Sequence, residues 1–107
     1  MIYAVKRPNE KLEVCESAEL LTVEEYQKLV GGYFECIYLP HNIAGVVNEE
    51  GQLMQLPYNF TAVGTYVNDA HRIVGTCVFV NEGVEDFESL NSDQVKYLEE
   101  WSKGLCG

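Results

Sequence analysis

The sequence predicts one α+β domain over residues 1–107, in which two helices pack on a mainly antiparallel sheet of about five strands. Three observations favour this class. A chain of 107 residues is close to the usual size of one domain. The hydrophobic pattern runs in the order strands, helix, strands and helix, and no repeat, linker or low-complexity tract interrupts it. Hydrophobic residues make up 47% of the chain, which is enough for a compact core.

An N-terminal hairpin is the first predicted element. Ile2 to Lys6 form a short apolar run that Arg7-Pro8-Asn9 ends, and Leu12 and Val14 then alternate with charged neighbours. We expect these two segments to pair as antiparallel strands.

A short helix and a strand should follow the hairpin. Thr22 and Glu25 have the spacing of a capping box, which predicts a helix that begins there. Gly31-Gly32 can adopt the left-handed conformation that ends helices. Residues 33–39 are rich in aromatic and branched side chains and are predicted to form a strand that ends at Pro40.

The middle of the chain is predicted to hold a second hairpin and a central strand. Residues 43–47 and 52–56 flank the polar turn 48–51, as in a hairpin with a short loop. The pattern of residues 60–70 is weak and predicts a loop. Residues 73–80 are almost uniformly apolar, so we expect one strand that crosses the sheet with both faces covered.

A second helix is predicted near the C-terminus. Asn91 and Gln94 form another capping-box pair, and Val95, Leu98 and Trp101 follow at helical spacing. We expect this apolar stripe to pack on the sheet.

The chain is strongly acidic, with 17 Asp and Glu residues, 7 Lys and Arg residues and a formal net charge of -10. This charge disfavours direct binding of nucleic acid or of an anionic membrane surface. The acids crowd two stretches, which comprise Glu10, Glu13, Glu16, Glu19, Glu24 and Glu25, and then Glu82, Glu85, Asp86, Glu88, Asp93, Glu99 and Glu100. Two interpretations stay open: the stretches form a solvated exterior, or they meet on one face and bind a basic partner.

The cysteines are widely spaced and include no C-x-x-C pair, so the sequence predicts neither a zinc knuckle nor a redox pair. Cys36 and Cys77 fall in predicted strands, where buried and inert thiols are expected. The chain has no signal-type segment and no apolar run of membrane-spanning length. We therefore expect a cytoplasmic protein with free thiols, without a metal or a cofactor.

No residue pattern predicts a catalytic centre. His41 and His71 lie in predicted loops, and neither has a helical partner at metal-binding spacing. The paired carboxylates Glu49-Glu50 and Glu85-Asp86 fall in polar turns, where selective burial of one member is not expected. The sequence therefore favours a protein that is not an enzyme.

The sequence offers two candidate contact groups for a partner. The first lies in and after the middle hairpin, where loops and aromatic residues concentrate, and comprises Asn48, Glu49, Tyr58, Asn59 and Phe60. The second is acidic and comprises Glu82, Glu85, Asp86 and Glu88. For the first group the alternative is an ordinary hairpin whose aromatic side chains close the edge of the core.

Several short segments together resemble a known family. They are Leu29-Val30-Gly31-Gly32-Tyr33 with Glu35, Asn48-Glu49-Glu50-Gly51-Gln52-Leu53, Leu56-Pro57 with Asn59, Ile73-Val74-Gly75-Thr76, and Phe87 with Ser89-Leu90, Asp93 and Gln94. The family is an uncharacterised "domain of unknown function" group encoded by bacteria, phages, plasmids and other mobile elements. The resemblance implies a cytoplasmic accessory protein of a mobile element in a bacterial host, with no activity to carry over. Relatives tend to place an arginine where this chain has Phe60, so any anion contact of that arginine is lost here.

Two functions are weighed on these grounds. The first is a non-enzymatic inhibitor of a host defence protein, such as an anti-CRISPR or anti-restriction protein. Its acidic surface would occupy the basic groove of a host protein that handles nucleic acid. The second is a small-ligand module that binds or sequesters a nucleotide, with Tyr58 stacking on the base and Asn48 and Asn59 bonding to it. An enzyme is a weaker third hypothesis, and exposed aromatics and sheet edges also favour a symmetric homodimer.

Overall fold

The computed structural model describes residues 1–63 and 70–104, with the side chains of residues 1–62 and 72–104. In chain order its elements are β1 (Ile2–Lys6), β2 (Glu13–Glu16), α1 (Val23–Val30), β3 (Phe34–Leu39), β4 (Ile43–Asn48), β5 (Tyr58–Val63), β6 (Ala70–Val74), β7 (Cys77–Glu82), β8 (Phe87–Glu88) and α2 (Ser92–Lys103). The predicted α+β class and the mainly antiparallel sheet are confirmed. Within these residues, neither helix is long and apolar enough to cross a membrane.

Six strands form one sheet in the order β2-β1-β7-β4-β3, and β8 pairs with the end of β7. All of these pairs are antiparallel. Asn81 of β7 lies opposite Ile43 of β4 on one edge of β7 and opposite Glu88 of β8 on the other edge. Strand β1 pairs with residues 77–79 of β7, so β1 and β8 lie one after the other along the edge that β4 does not occupy. Strands β5 and β6 form a separate antiparallel ribbon. The centre of the main sheet is therefore β7 and β4, and all six residues of β4 are buried.

The sheet carries an apolar layer on each face, because successive side chains of a strand point in opposite directions. Helix α1 covers one face, where the core contains Val5, Tyr26, Val30, Ala44, Val46, Val78 and Val80. Helix α2 and the ribbon cover the other, where the core contains Ala4, Leu39, Ile43, Val47, Phe60, Ala62, Ile73, Cys77, Phe79, Leu90 and Leu98. We call these two faces the α1 side and the α2 side.

Both helices begin at the predicted capping boxes. The Oγ1 of Thr22 accepts a hydrogen bond from the Glu25 amide at 3.2 Å, and the Glu25 carboxylate accepts one from the Thr22 amide at 3.1 Å. Asn91 and Gln94 make the equivalent pair of bonds at the start of α2. Helix α1 ends at Gly31, which has a φ of 85° and donates its amide hydrogen to the Gln27 carbonyl. The structure confirms these predicted helix ends, because capping boxes and helix-ending glycines depend only on residues that are close together in the chain.

The single strand predicted over residues 73–80 is wrong. Gly75, with a φ of 75°, divides the apolar run into β6, which belongs to the ribbon, and β7, which enters the main sheet. The side-chain amide of Asn59 donates to the Gly75 carbonyl at 2.9 Å and holds the bend. The residues on both sides of the bend are buried, so the apolar run has the pattern of one continuous strand.

The second arm of the predicted middle hairpin is also wrong. Residues 52–56 form turns that are held by local bonds, from the Met54 amide to the Glu50 carbonyl at 2.9 Å and from the Leu56 amide to the Gly51 carbonyl at 3.1 Å. The next strand begins at Tyr58, so residues 60–63, predicted as loop, belong to β5. Residues 64–69 of that predicted loop lie outside the described part of the chain, and residue 70 begins β6.

We expect Gly75→Ala to lower the free energy of unfolding by at least about 2 kcal/mol, from a left-handed backbone and an overpacked core. A Cβ at this position would lie 2.7 Å from Leu56 Cδ1. Gly104→Ala is the matched control, because Gly104 has a φ of -77° and its added Cβ would meet no atom closer than 3.4 Å. Urea denaturation of both variants measures the difference, and equal stabilities would contradict the role of the bend.

Candidate functional site

Carboxylates from both acidic stretches meet on the α1 side of the sheet. Glu13 of β2 lies opposite Val5, whose side chain belongs to the α1-side core, so Glu13 shares that face. Glu82 lies opposite Phe87, which packs against the same core. Glu25 is contributed by α1 itself, and Asp86 by the loop between β7 and β8. We call Glu13, Glu25, Glu82 and Asp86 the acidic patch.

The contact between α1 and β8 brings carboxylates of both stretches to one side of the sheet. The ring centroids of Tyr26 and Phe87 are 5.5 Å apart, and Glu25 and Asp86 are their chain neighbours. Burial raises the pKa of Tyr26, and the charges of Asp86 and Glu25 raise it further. Burial also raises the pKa of Tyr3, where Cys15 and then Glu25 and Glu13 add to the shift. The geometry therefore favours the interpretation in which the two acidic stretches share a face.

An exposed apolar side chain accompanies the acidic patch. Val84 is fully exposed and lies two residues before Asp86. Apolar side chains beside charged ones are typical of protein-binding surfaces, in which a desolvated centre lies within a polar rim. The α1 side therefore combines the two kinds of group that a protein partner contacts.

The predicted acidic contact group divides between the two faces. Glu82 and Asp86 lie in the acidic patch, and Glu85 is exposed in the loop beside Asp86. Glu88, by contrast, pairs with Asn81, whose side-chain oxygen accepts a hydrogen bond from Gln94 of α2 at 2.9 Å. Glu88 therefore faces the α2 side, and its inclusion with the other three is corrected.

The aromatic part of the other predicted contact group is largely internal. Phe60 is 1% exposed and packs against Phe79 and Trp101, with ring centroids 6.1 and 5.0 Å away. Phe60 is thus a core residue that no partner can reach, which corrects the prediction and agrees with its alternative. Tyr58 is exposed; its hydroxyl is 2.8 Å from the Thr61 Oγ1.

The side chain of Asn48 is buried and bonds within the protein, whereas Glu49 beside it is exposed. Asn48 is 5% exposed. Its amide donates to the Val30 carbonyl at the end of α1 at 3.0 Å, and its side-chain oxygen accepts from the Glu50 amide at 2.7 Å. One side chain thus ties the end of α1 to the turn that follows β4, which leaves it unsuited to bonding a nucleotide base.

The side chain of Asn59 also makes its hydrogen bonds within the protein. Its amide donates to the Lys6 carbonyl at 2.7 Å and to the Gly75 carbonyl at 2.9 Å. Its side-chain oxygen accepts from the Lys6 ammonium at 3.1 Å. The base-binding roles that the sequence suggested for Asn48 and Asn59 are therefore corrected.

The histidines and cysteines form no recognisable chemical centre in the described part of the chain. His41 is exposed, with its ring centroid 4.5 Å from that of Tyr97, and the side chain of His71 lies outside the described residues. Burial raises the pKa of the Cys36 and Cys77 thiols, which keeps them protonated and weakly nucleophilic. No three His, Cys, Asp or Glu side chains among the described residues are placed to hold a metal ion.

The sequence pattern of one family, described as Domain of unknown function (DUF3846), matches residues 2–103. The chain belongs to this family. The match confirms the uncharacterised family that the motifs predicted and spans every element of the fold. No curated protein and no solved structure matches the chain.

The bonds of Asn48 and Asn59 predict a stability effect. We expect Asn48→Ala and Asn59→Ala each to lower the free energy of unfolding by about 2 to 3 kcal/mol, because each leaves buried backbone groups without a partner. Gln52→Ala is the control, since Gln52 is exposed and makes one bond, to the Arg72 carbonyl at 3.1 Å. Gln52→Ala should lower the free energy of unfolding by no more than about 0.5 kcal/mol when all three variants are measured by urea denaturation. Asparagine variants no less stable than the control would contradict this assignment.

Tyr26→Phe should leave stability unchanged or raise it by about 1 kcal/mol, because a buried hydroxyl without a partner costs free energy. The Tyr26 hydroxyl is buried and has no hydrogen-bond partner among the described residues. Above its ordinary pKa of 10.0 the unfolded chain releases a proton that the folded chain keeps, so wild-type stability falls with rising pH. The Phe variant should lose less stability in that range, as measured by urea titration at successive pH values. A Tyr26→Phe variant clearly less stable at neutral pH would show that the hydroxyl is bonded.

Proposed function

We propose that this protein is a non-enzymatic binding protein that presents its acidic patch to a basic surface of a partner protein. The observation that carries the proposal is the contact of Tyr26 with Phe87, whose ring centroids are 5.5 Å apart and which brings together their chain neighbours Glu25 and Asp86, one from each acidic stretch. The four carboxylates come from two strands, β2 and β7, from the loop between β7 and β8, and from α1, so their common face is a product of the fold. A net charge of -10 gives the same face a long-range attraction for a cationic partner.

The partner that fits best is a host protein that handles nucleic acid. Surfaces that bind DNA or RNA are basic and shaped to follow a line of phosphates. An acidic face can occupy such a surface and exclude the nucleic acid. Together with the mobile-element resemblance of the sequence, this supports an inhibitor of a host defence protein, such as an anti-CRISPR or anti-restriction protein, that acts in the cytoplasm of a bacterial host.

Val84, which is fully exposed in the loop that carries Asp86, supports a protein partner over simple solvation of the acids. Glu85, next to Asp86, extends the charged surface at the same loop. Glu88 is not part of the proposed contact because it faces α2.

The test removes two charges of the acidic patch without changing side-chain size. Tagged protein captures its partner from host lysate, and the affinity of the purified partner is then measured for wild type and for Glu82→Gln with Asp86→Asn. We expect the double variant to bind about tenfold more weakly, since each lost charge removes a contact with a base. Glu50→Gln with Glu100→Gln is the control, because it removes two exposed charges outside the patch and should change affinity less than about twofold.

Two further observations decide the proposal. Nucleic acid should displace the captured protein, and binding should weaken as the salt concentration rises. Equal binding by the patch variant and the control, or a partner that nucleic acid does not displace, would overturn the proposed function.

A further inference from the structure

A pocket of about 390 Å³ lies on the α2 side, between the β1–β2 hairpin and the last turn of α2. Leu12 and Val14 supply an apolar wall, and Ser102 supplies a hydroxyl. Its volume is within the range of about 300 to 1,000 Å³ that is usual for small-molecule sites. The pocket is thus large enough for a small ligand.

The lining of this pocket is unusually basic for so acidic a chain. Lys6, Lys11 and Lys103 line it, and the whole chain has 7 Lys and Arg residues. Glu10 and Glu99 are the carboxylates that line it with them. Three positive and two negative groups leave a local charge of about +1, whereas the chain as a whole carries -10. Two other cavities, one lined by Glu49 and Arg72 and one by Lys28 and Leu56, each have a single basic residue in their lining.

The ammonium of Lys6 is the most constrained of these positive groups. Lys6 is 4% exposed, and its ammonium donates to the Arg7 carbonyl at 2.9 Å and to the Asn59 side-chain oxygen at 3.1 Å. It forms no salt bridge with a carboxylate of the described residues, and one of its three hydrogens has no acceptor among them. Burial lowers the pKa of this ammonium, in keeping with a charge that lacks full compensation.

Asn59 holds Lys6 from two directions. It binds the main-chain carbonyl of Lys6 with its amide and the ammonium of Lys6 with its oxygen. The lysine side chain therefore has little freedom to lose when it contacts a ligand, which is the usual way in which a site gains affinity by preorganisation.

We propose that this pocket binds a small ligand that carries a compact anionic group, with Lys6 and Lys103 contacting the anionic oxygens and Leu12 and Val14 contacting an apolar part. A phosphate and a carboxylate both provide such oxygens. The site lies across the sheet from the acidic patch and does not depend on the proposed function.

The test uses phenyl phosphate, benzoate and inorganic phosphate as probes, at constant ionic strength, with benzamide as the uncharged isostere of benzoate. Thermal shift and isothermal titration calorimetry on the full chain measure binding. We expect phenyl phosphate, benzoate or both to bind at millimolar concentration, inorganic phosphate more weakly, and benzamide not at all. Preference between the two aromatic probes assigns the anionic group as phosphate or carboxylate.

Variants connect any binding to the pocket. Lys103→Gln should weaken binding roughly tenfold, and Lys6→Met should abolish it, whereas Lys28→Gln and Lys96→Gln should change it less than about twofold. The last two remove exposed lysines that do not line the pocket, so they match the loss of charge. If the Lys6→Met variant does not fold, the affinity of the Lys103→Gln variant for the probes still tests the proposal. The proposal is overturned if no charged probe binds, if benzamide binds equally, or if Lys103→Gln binds like the controls.

Discussion

The bonds of one side-chain amide, that of Asn59, fix how the chain passes between the two sheets. Asn59 lies in β5 of the ribbon, yet it bonds to the carbonyl of Lys6 in β1 and to the carbonyl of Gly75 at the bend. The bend at Gly75 sends β6 into the ribbon and β7 into the centre of the main sheet, where it pairs with β1, β4 and β8. The position of β7 in turn sets where the loop that carries Asp86 begins. Both candidate surfaces therefore depend on this junction, which shares Lys6 with the lysine pocket.

The family-like segments account for this junction and for a second one at the end of α1. Gly31 ends α1 with a φ of 85°, next to the Val30 carbonyl that accepts from the Asn48 amide at 3.0 Å. Gly51 lies against Val74, where an added Cβ would come within 2.9 Å of the Val74 Cγ2. Glycines and asparagines at these places allow α1, the turn after β4 and the ribbon to pack closely. These glycine- and asparagine-containing segments thus contribute to the packing of the fold, while the proposed binding groups lie mostly outside them.

Local sequence signals predicted the two helices, the first hairpin and β3, because capping boxes and short apolar runs are determined by neighbouring residues. The sequence predictions were wrong where the structure depends on contacts between residues that are distant in the chain. An apolar run from Ile73 to Val80 shows burial but cannot show that Gly75 transfers the chain between sheets. The division of the acids by face also depends on register, which places Glu82 on the α1 side and Glu88 on the other. The lysine pocket had no sequence signal, since Lys6 and Lys103 come from opposite ends of the chain.

The two candidate surfaces lie on opposite faces of the sheet and meet at the edge strand β2, where Glu13 of the acidic patch is the chain neighbour of the pocket residues Leu12 and Val14. Electrostatic interactions in water are screened over about 8 Å at physiological ionic strength. The sheet and its two apolar layers separate the lysine pocket from the other three carboxylates of the patch, Glu25, Glu82 and Asp86. At physiological salt, an anion at Lys6 therefore experiences chiefly the local charges of Lys11, Lys103, Glu10 and Glu99, and much less the distant carboxylates. A strongly acidic protein can in this way keep one small basic site, provided that the fold places it on the face that the acidic patch does not occupy.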